Sequence, residues 1–448
     1  MGNLFGTDGV RGVANVHLTP ELALSLARAM AKVKVRRGGC VIIGRDTRTS
    51  GPMIEAGLSA GFASAGVDVR LAGVIPTPAI SFLIKDERAD LGAVISASHN
   101  PPQDNGIKFF DRRGMKLTID EERAVEQAIG CDVPAGENRL HVGSIGPLDA
   151  AATRYAAFLA GTIDVEEVDL TGIRVVVDCA FGATGRIAPH VLRHLGAEVI
   201  ELHSEADGTR INQGCGSTDL CVVQAEVERT GAELGIAFDG DGDRVLLVTS
   251  DGTTIDGDQM IGIAALHMKR AGRLKPPAVV VTELSNLGLE KMLSEHGITA
   301  MRTPVGDRHV AQQMFVHGAK IGGEPSGHII FGDYSPTGDG ILTAVKLLEI
   351  AHDSRMTLGE LAQGIPLYPQ RQRSIPSTDP MALLQRSGVR RAVERAEESL
   401  QGIGRVMLRA SGTQPVVRIL VEALDQDVVT AVSEALEAAI HAQAAASS

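Results

Sequence analysis

The chain has no tryptophan and only three tyrosines among 448 residues, and aromatic residues amount to 3%. Basic residues are in the minority too, 43 Lys and Arg against 55 Asp and Glu, for a formal net charge of −12. A nucleic-acid binder needs a basic footprint and often stacking aromatics, so the composition argues against that class. A small anionic substrate is not, because a few arginines can be concentrated locally. The five cysteines (40, 131, 179, 215, 221) are odd in number, scattered and without a C-x-x-C. The expectation is reduced thiols in a cytoplasmic setting rather than a disulfide framework. No run of about 18 apolar residues occurs, so no membrane span is expected. The start MGNLFGTDG lacks the basic-then-apolar pattern of a signal peptide, and Gly6 stands at the Ser/Thr position of the myristoylation pattern. No intact G-x-G-x-x-G follows a strand pattern, which argues against a dinucleotide oxidoreductase.

What is present is globular: 44% hydrophobic and 22% charged residues, on a chain long enough for roughly two to four domains. The recurring unit is a β-branched strand, a polar glycine-bearing loop and a helix. "CVIIGRDTRTSG" from Cys40, "IRVVVDCAFGATGR" from Ile173 and "AVVVTELSNLG" from Ala278 all read this way. Such alternation implies mostly parallel sheets. The first long helix should start at Thr19 as N-cap, with Pro20 at the first helical position and Glu21 at the positive end. The Gly- and Pro-rich segment 132–147 reads as a boundary. So does 364–380, whose four prolines are expected to break both helix and strand. After it comes an α+β tail of about 70 residues, feasible as a small domain.

The sharpest chemical signal is "AFDGDGDRV", where Asp239, Asp241 and Asp243 alternate with Gly240 and Gly242. Carboxylates this close repel one another unless something positive sits among them, and no basic run stands beside them to balance all three. Oxygen-only ligands favour a hard cation, with Mg²⁺ first and Ca²⁺ or Mn²⁺ as alternatives. An EF-hand fails, because its glycine and glutamate positions hold Arg244 and Ser250. The plain alternative is a solvated acidic turn between two strands. "RASGTQPVVR", Arg409 to Arg418, offers guanidinium, hydroxyl and exposed backbone N–H groups suited to a phosphate. "GGEPSGH" joins Glu324, Ser326 and His328 in a loop suited to a polyhydroxyl ligand. Arg11, Arg45 and Arg48 stand beside turns and singly read as surface arginines. In "ISASHNPPQDNGIKFF", Ser98 precedes His99, but neighbours in an extended chain point to opposite faces, so His99 is poorly placed to take its proton. The nucleophile elbow G-x-S-x-G fails as well, since Ser96 and Asn100 replace its glycines.

"FGTDGVRG", "SASHNPPQDNGIKFF", "DGDGDR", "GEPSGH" and "RASGTQP" occur in this order, and together they resemble the alpha-D-phosphohexomutase superfamily over essentially the whole chain. The start "LFGTDGVRG", "INQGCGSTD" (211–219) and "TELSNLGLEK" are most like its amino-sugar branch, although Pro325 stands where that branch commonly carries Gln. The resemblance implies three similar α/β domains with mixed, mostly parallel sheets plus a C-terminal α+β domain around a central cleft. The boundaries expected are 1–148, 149–252, 253–366 and 367–448, with the 364–380 stretch as hinge. It implies that Ser98 is a phosphoserine completing a Mg²⁺ shell with Asp239, Asp241 and Asp243. It also implies interconversion of glucosamine 6-phosphate and glucosamine 1-phosphate through a glucosamine 1,6-bisphosphate or similar hexose bisphosphate. Activity on glucose or mannose phosphates is the alternative within the superfamily. A Ca²⁺-binding or non-catalytic sugar-phosphate-binding protein is the alternative outside it. By the same resemblance Arg244 and Arg11 neutralise the transferring phosphoryl, and Lys108 or His99 deprotonates the attacking hydroxyl. Glu324 and Ser326 grip ring hydroxyls beside His328, and Arg409, Ser411, Gly412 and Thr413 hold the phosphate that is not reacting. The partner implied is a small hexosamine phosphate, with no nucleic acid and no membrane. Oligomeric state stays open, with homodimers frequent in this branch.

Overall fold

The apolar run Cys40–Arg45 is a strand followed by the helix Gly51–Ser64. The same succession leads from Arg174–Asp178 to Ala188–His194 and from Ala278–Thr282 to Leu287–Glu295. These three α/β starts are the ones expected from the sequence. Val41 to Ile43, Val175 to Val177 and Val279 to Val281 are buried, because strands covered on both faces carry continuous apolar runs rather than an alternation. Thr19 caps the helix Pro20–Lys34 by accepting from the Leu22 N–H, with Pro in its first turn, as expected.

The computed structural model describes residues 4–6, 8–36, 38–130, 142–163, 168–410 and 415–445. The chain forms two compact units: Met1–Ser285 with His296–Gly364, and Asn286–Glu295 with Ile365–Ser448. The first unit contains three mixed sheets. One runs in the order Val10–Val13, Asp104–Asp111, Leu91–Ile95, Cys40–Arg45, Asp68–Val74, Ile145–Pro147. The second runs Thr254–Ile255, Val245–Thr249, Leu234–Phe238, Arg174–Asp178, Glu198–Leu202, and the third Thr299–Thr303, Ala278–Thr282, Ile321–Gly323, Ile329–Phe331.

In each sheet a parallel strand turns back into an antiparallel partner. Leu91–Ile95 turns into Asp104–Asp111, Leu234–Phe238 into Val245–Thr249, and Ile321–Gly323 into Ile329–Phe331. The three turn-back loops are 96–103, 239–244 and 324–328, the segments singled out for chemistry. They lie at the carboxyl ends of parallel strands, where α/β sheets gather ligands.

The second unit has a three-stranded antiparallel sheet, ordered Gln370–Pro376, Val416–Ala423, Gly404–Ala410. The helices Ser387–Leu400 and Gln426–Ala445 cover it through Val389, Leu400, Val429, Leu436 and Ile440, packed on Val417, Ile419 and Val421. One expectation is corrected here: the proline-rich 364–380 stretch does form a strand. Gln370–Pro376 is an edge strand, with Pro369 just before it and Pro376 at its last position, where a missing N–H is tolerated. Among the described residues no helix is long and apolar enough to cross a membrane.

Candidate active site

Ser98 is not in an extended segment. Its φ is 52°, a left-handed conformation that a residue with a Cβ adopts at some cost and that clusters at functional sites. The surrounding residues enforce it. Ser98 N–H donates to Ser96 Oγ (2.8 Å), and Ser96 Oγ donates to Asp46 Oδ2 (2.6 Å). Asp46 in turn binds Arg48, whose Nε lies 2.9 Å from Asp46 Oδ2. The guanidinium spends its remaining donors on the loop carbonyls of Ser98 (2.9 Å), Asn100 (2.7 Å) and Asp104 (2.9 Å), and on that of Pro101. Arg48 is therefore no surface arginine: it is fully buried and is the framework of the loop.

The turn also overturns the expectation for His99. With the backbone curled rather than extended, His99 Nδ1 lies 3.2 Å from Ser98 Oγ. Burial, then the neighbouring Arg244 and Arg11, depress His99 to about 4, so its imidazole is neutral.

Ser98 Oγ donates to Asp239 Oδ2 at 2.6 Å, joining the first loop to the acidic one. Carboxylate oxygens of Asp239, Asp241 and Asp243 lie within 4.8 Å of one another, and all three residues are buried. Burial, then the charges of Asp243 and Asp241, push Asp239 well above the usual carboxylate range. One basic group does reach them from outside the local sequence. Lys108 Nζ sits 2.9 Å from Asp241 Oδ2 and 3.4 Å from Asp243 Oδ2, brought by a strand 133 residues away in sequence. Burial works against the Lys108 ammonium, but Asp241, Asp8 and Asp243 outweigh it and hold it firmly protonated. One lysine does not satisfy the cluster. Asp241 Oδ1 and Asp243 Oδ1 are buried without a hydrogen-bond partner. Buried carboxylate oxygens in that condition are costly, and an oxygen-only trio suits a hard divalent cation, so the residues present fit one. The Arg244 N–H donates to Asp239 Oδ1 (3.2 Å), and its guanidinium stays charged because Asp243 and Asp239 outweigh burial. Arg11 reaches the same region, donating to the carbonyl of Ala97 at 3.3 Å and pairing with Asp8.

In the third loop, Glu324 accepts from the Gly306 N–H at 3.1 Å and donates its own N–H to the His328 carbonyl at 3.1 Å. Ser326 is half-buried at the turn. His328 is enclosed, at 1% exposure. Its Nε2 accepts from the Gly338 N–H (3.0 Å), which leaves the proton on Nδ1, 3.7 Å from Asp243 Oδ2. That geometry makes His328 a link between the third loop and the acidic loop. Asp8, Lys116 and Asp307, which sequence reading missed, continue the network: Lys116 Nζ bridges the Asp8 and Asp307 carboxylates.

Ser98, His99, Lys108, Arg11, Arg244, Asp239, Asp241, Asp243, Glu324, Ser326 and His328 all belong to the first unit, on its three turn-back loops or the strands beside them. Arg409 belongs to the second, on Gly404–Ala410, directly across the ladder from Arg418. Ser411, Gly412 and Thr413 lie outside the described residues.

Four family models match the chain, all of the phosphoglucomutase/phosphomannomutase description: alpha/beta/alpha domain I over 2–132, domain II over 153–252, domain III over 256–368, and the C-terminal domain over 375–439. A phosphoglucosamine mutase of Desulforudis audaxviator is 46% identical, the match covering 97% of each chain. One of Desulforamulus reducens is 47% identical, over 95% of this chain and 96% of its own. Among solved structures, a phosphoglucomutase/phosphomannomutase family protein of Burkholderia thailandensis superposes with a TM-score of 0.80 at 27% identity, covering 98% of this chain and 97% of its own. With motifs, site geometry and near-complete coverage in agreement, the chain belongs to the phosphoglucomutase/phosphomannomutase family, the alpha-D-phosphohexomutases.

Proposed function

We propose that the chain interconverts glucosamine 6-phosphate and glucosamine 1-phosphate, through a phosphoserine at Ser98 and a glucosamine 1,6-bisphosphate intermediate. One observation carries the mechanism: Ser98 Oγ stands 2.6 Å from Asp239, at the edge of a buried carboxylate trio with unpartnered oxygens. The amino sugar is supported by relatives 44–47% identical over nearly the full length that are named phosphoglucosamine mutase. Four domains, at 1–148, 149–252, 253–366 and 367–448, would divide phosphoserine, metal, sugar and phosphate handling between them.

Asp239, Asp241, Asp243 and a phosphoryl oxygen on Ser98 would hold Mg²⁺, which when bound supplies charge neutralisation to the transferring group. In the first transfer the P–O bond to Ser98 Oγ breaks and a new one forms to the free O1 or O6 hydroxyl of the sugar monophosphate, whose proton leaves to a base, while Ser98 Oγ takes up a proton to end as the hydroxyl. The second transfer returns the phosphoryl at the other end of the bisphosphate to Ser98. Of the two candidate bases, Lys108 is walled in by carboxylates and serves as a cation. His99, neutral and with Nδ1 3.2 Å from Ser98 Oγ, is the candidate that remains to take the proton. Arg244 and Arg11 face the negative charge that phosphoryl transfer spreads over the equatorial oxygens. Glu324 and Ser326 bind ring hydroxyls in both sugar orientations, with His328 fixing their loop. Arg409, opposite Arg418, presents paired cations suited to a dianion, and with Ser411, Gly412 and Thr413 it holds the phosphate that is not reacting.

Two experiments test this. Ser98→Ala should abolish transfer and leave the fold intact; near wild-type turnover with added bisphosphate would remove the phosphoserine. Catalytic efficiency for glucosamine 6-phosphate should exceed that for glucose and mannose 6-phosphates. A preference for either neutral sugar would overturn the substrate assignment and leave the mutase chemistry standing.

A further inference from the structure

The segment "INQGCGSTD" has no part in the chemistry described above, yet it reaches the centre of the site. Asn212 Nδ2 donates to the carbonyls of Ser98 (2.8 Å) and Asn100 (3.1 Å), the same two carbonyls that Arg48 holds. Two carbonyl acceptors assign the nitrogen end of the amide. Asn212 itself has φ 61°, a left-handed conformation like that of Ser98. Its other neighbour is the acidic loop. A Cβ on Gly240, between Asp239 and Asp241, would lie 2.8 Å from Asn212 Nδ2 and 2.7 Å from Ile211 Cδ1. The Asn212 N–H is anchored on the Ala180 carbonyl (3.1 Å), and the Ala183 N–H on that of Gly240 (2.9 Å).

We propose that Asn212 is a positioning residue for phosphoryl transfer, its amide fixing the Ser98 peptide against the acidic loop. The proposal rests on the reading of Ser98 as the phosphorylated group. Ser98 must occupy one place in two charge states, neutral as the hydroxyl and about −1.5 to −2 as the phosphoserine, beside three carboxylates. A clamp on the side chain would respond to that change. A clamp on the carbonyl does not, and Asn212 with Arg48 supplies it from both sides.

Asn212→Gly removes the amide and keeps the left-handed backbone free of strain. In the phosphorylated enzyme we expect kcat to fall about 10- to 100-fold, as misplaced reacting groups do, while KM for glucosamine 6-phosphate stays within about threefold. The unfolding midpoint should remain near wild type, and the ³¹P resonance of the phosphoserine should shift or broaden. Asn212→Asp, which tolerates the same backbone but lacks the donor, should behave alike and decides the matter if the glycine variant folds poorly. Wild-type kcat in either variant overturns the proposal. So does a loss of kcat that merely follows a lowered midpoint while the ³¹P resonance is unchanged. Ser98→Ala is measured alongside: if it stays active the phosphoserine reading fails, whereas an inactive Ser98→Ala beside a normal Asn212→Gly overturns the positioning role alone.

Discussion

Asp241 is held by Thr77 Oγ1 at 2.6 Å and Lys108 Nζ at 2.9 Å, and both bonds go to Oδ2, leaving Oδ1 buried without a hydrogen-bond partner. Asp241→Asn keeps the shape and removes one ligand charge. It should weaken Mg²⁺ binding by roughly tenfold or more, measured by calorimetric titration of the unphosphorylated chain. Unchanged affinity would take Asp241 out of the ligand set. At this scale the sequence shows residues whose chemistry is packed into a few consecutive positions, the alternating aspartates above all, whereas the serine of "SASHNP" drew its role from the resemblance alone. It hides those whose partners are distant. Arg48 looks like any loop arginine because its acceptors are main-chain carbonyls some 50 positions on. Its one local sign is Asp46, two residues before it. Two placements escaped the sequence for a related reason: Lys108 meets the aspartates from a strand 133 residues away, and a single left-handed residue turns His99 toward Ser98.

Helix Gly340–Ser354 begins at Asp339, whose side chain accepts from the Leu342 N–H (2.9 Å) and from the buried Tyr155 hydroxyl (2.6 Å). Burial nevertheless pushes Asp339 up to about 6 from an ordinary 3.8. The native carboxyl thus holds its proton over a range in which the unfolded one has lost it. Stability from this group falls as pH rises from about 4 to about 6. Asp339→Asn keeps a carbonyl oxygen to accept from the Leu342 N–H, turns its NH2 as a donor to the Tyr155 oxygen, and never ionises. Relative to its difference from wild type near pH 3, below the unfolded value, its unfolding free energy should gain up to about 3 kcal/mol near pH 7.5, two pKa units at 1.36 each. A difference that does not change with pH would contradict this. Elements were well legible where one signal dominated: the apolar runs of the buried strands, and Thr19-Pro20 at a helix start. They were illegible where two signals competed. The prolines of 364–380 suggested a break, but Gln370–Pro376 lies at a sheet edge, where Ile375 still reaches the core.

Within the first unit, Arg308 meets Glu122 through two bonds of 2.7 and 2.5 Å, joining the helices Asp307–His317 and Ile119–Ala128. Both side chains are nearly enclosed, at 11% and 8% exposure. Arg308→Ala would strand a buried carboxylate and should destabilise the unit by about 3 kcal/mol in denaturant unfolding. The paired replacement Arg308→Met with Glu122→Gln should recover much of the loss. Equal losses in both would contradict the pairing. Couplings of this kind join segments nearly 190 residues apart and leave no mark in the local pattern. Order of motifs, by contrast, carried the architecture, because each sheet places its turn-back loop in the same way. The reading of the whole molecule comes down to whether Ser98 gives and takes a phosphoryl group. Chain phosphorylated on Ser98 should be mixed with an equimolar amount of glucosamine 6-phosphate, and the mass of the chain and the identity of the sugar followed together. The chain should lose one phosphoryl group as glucosamine bisphosphate appears, and regain it as glucosamine 1-phosphate forms. Interconversion by a chain that never carries phosphate on Ser98 would contradict it.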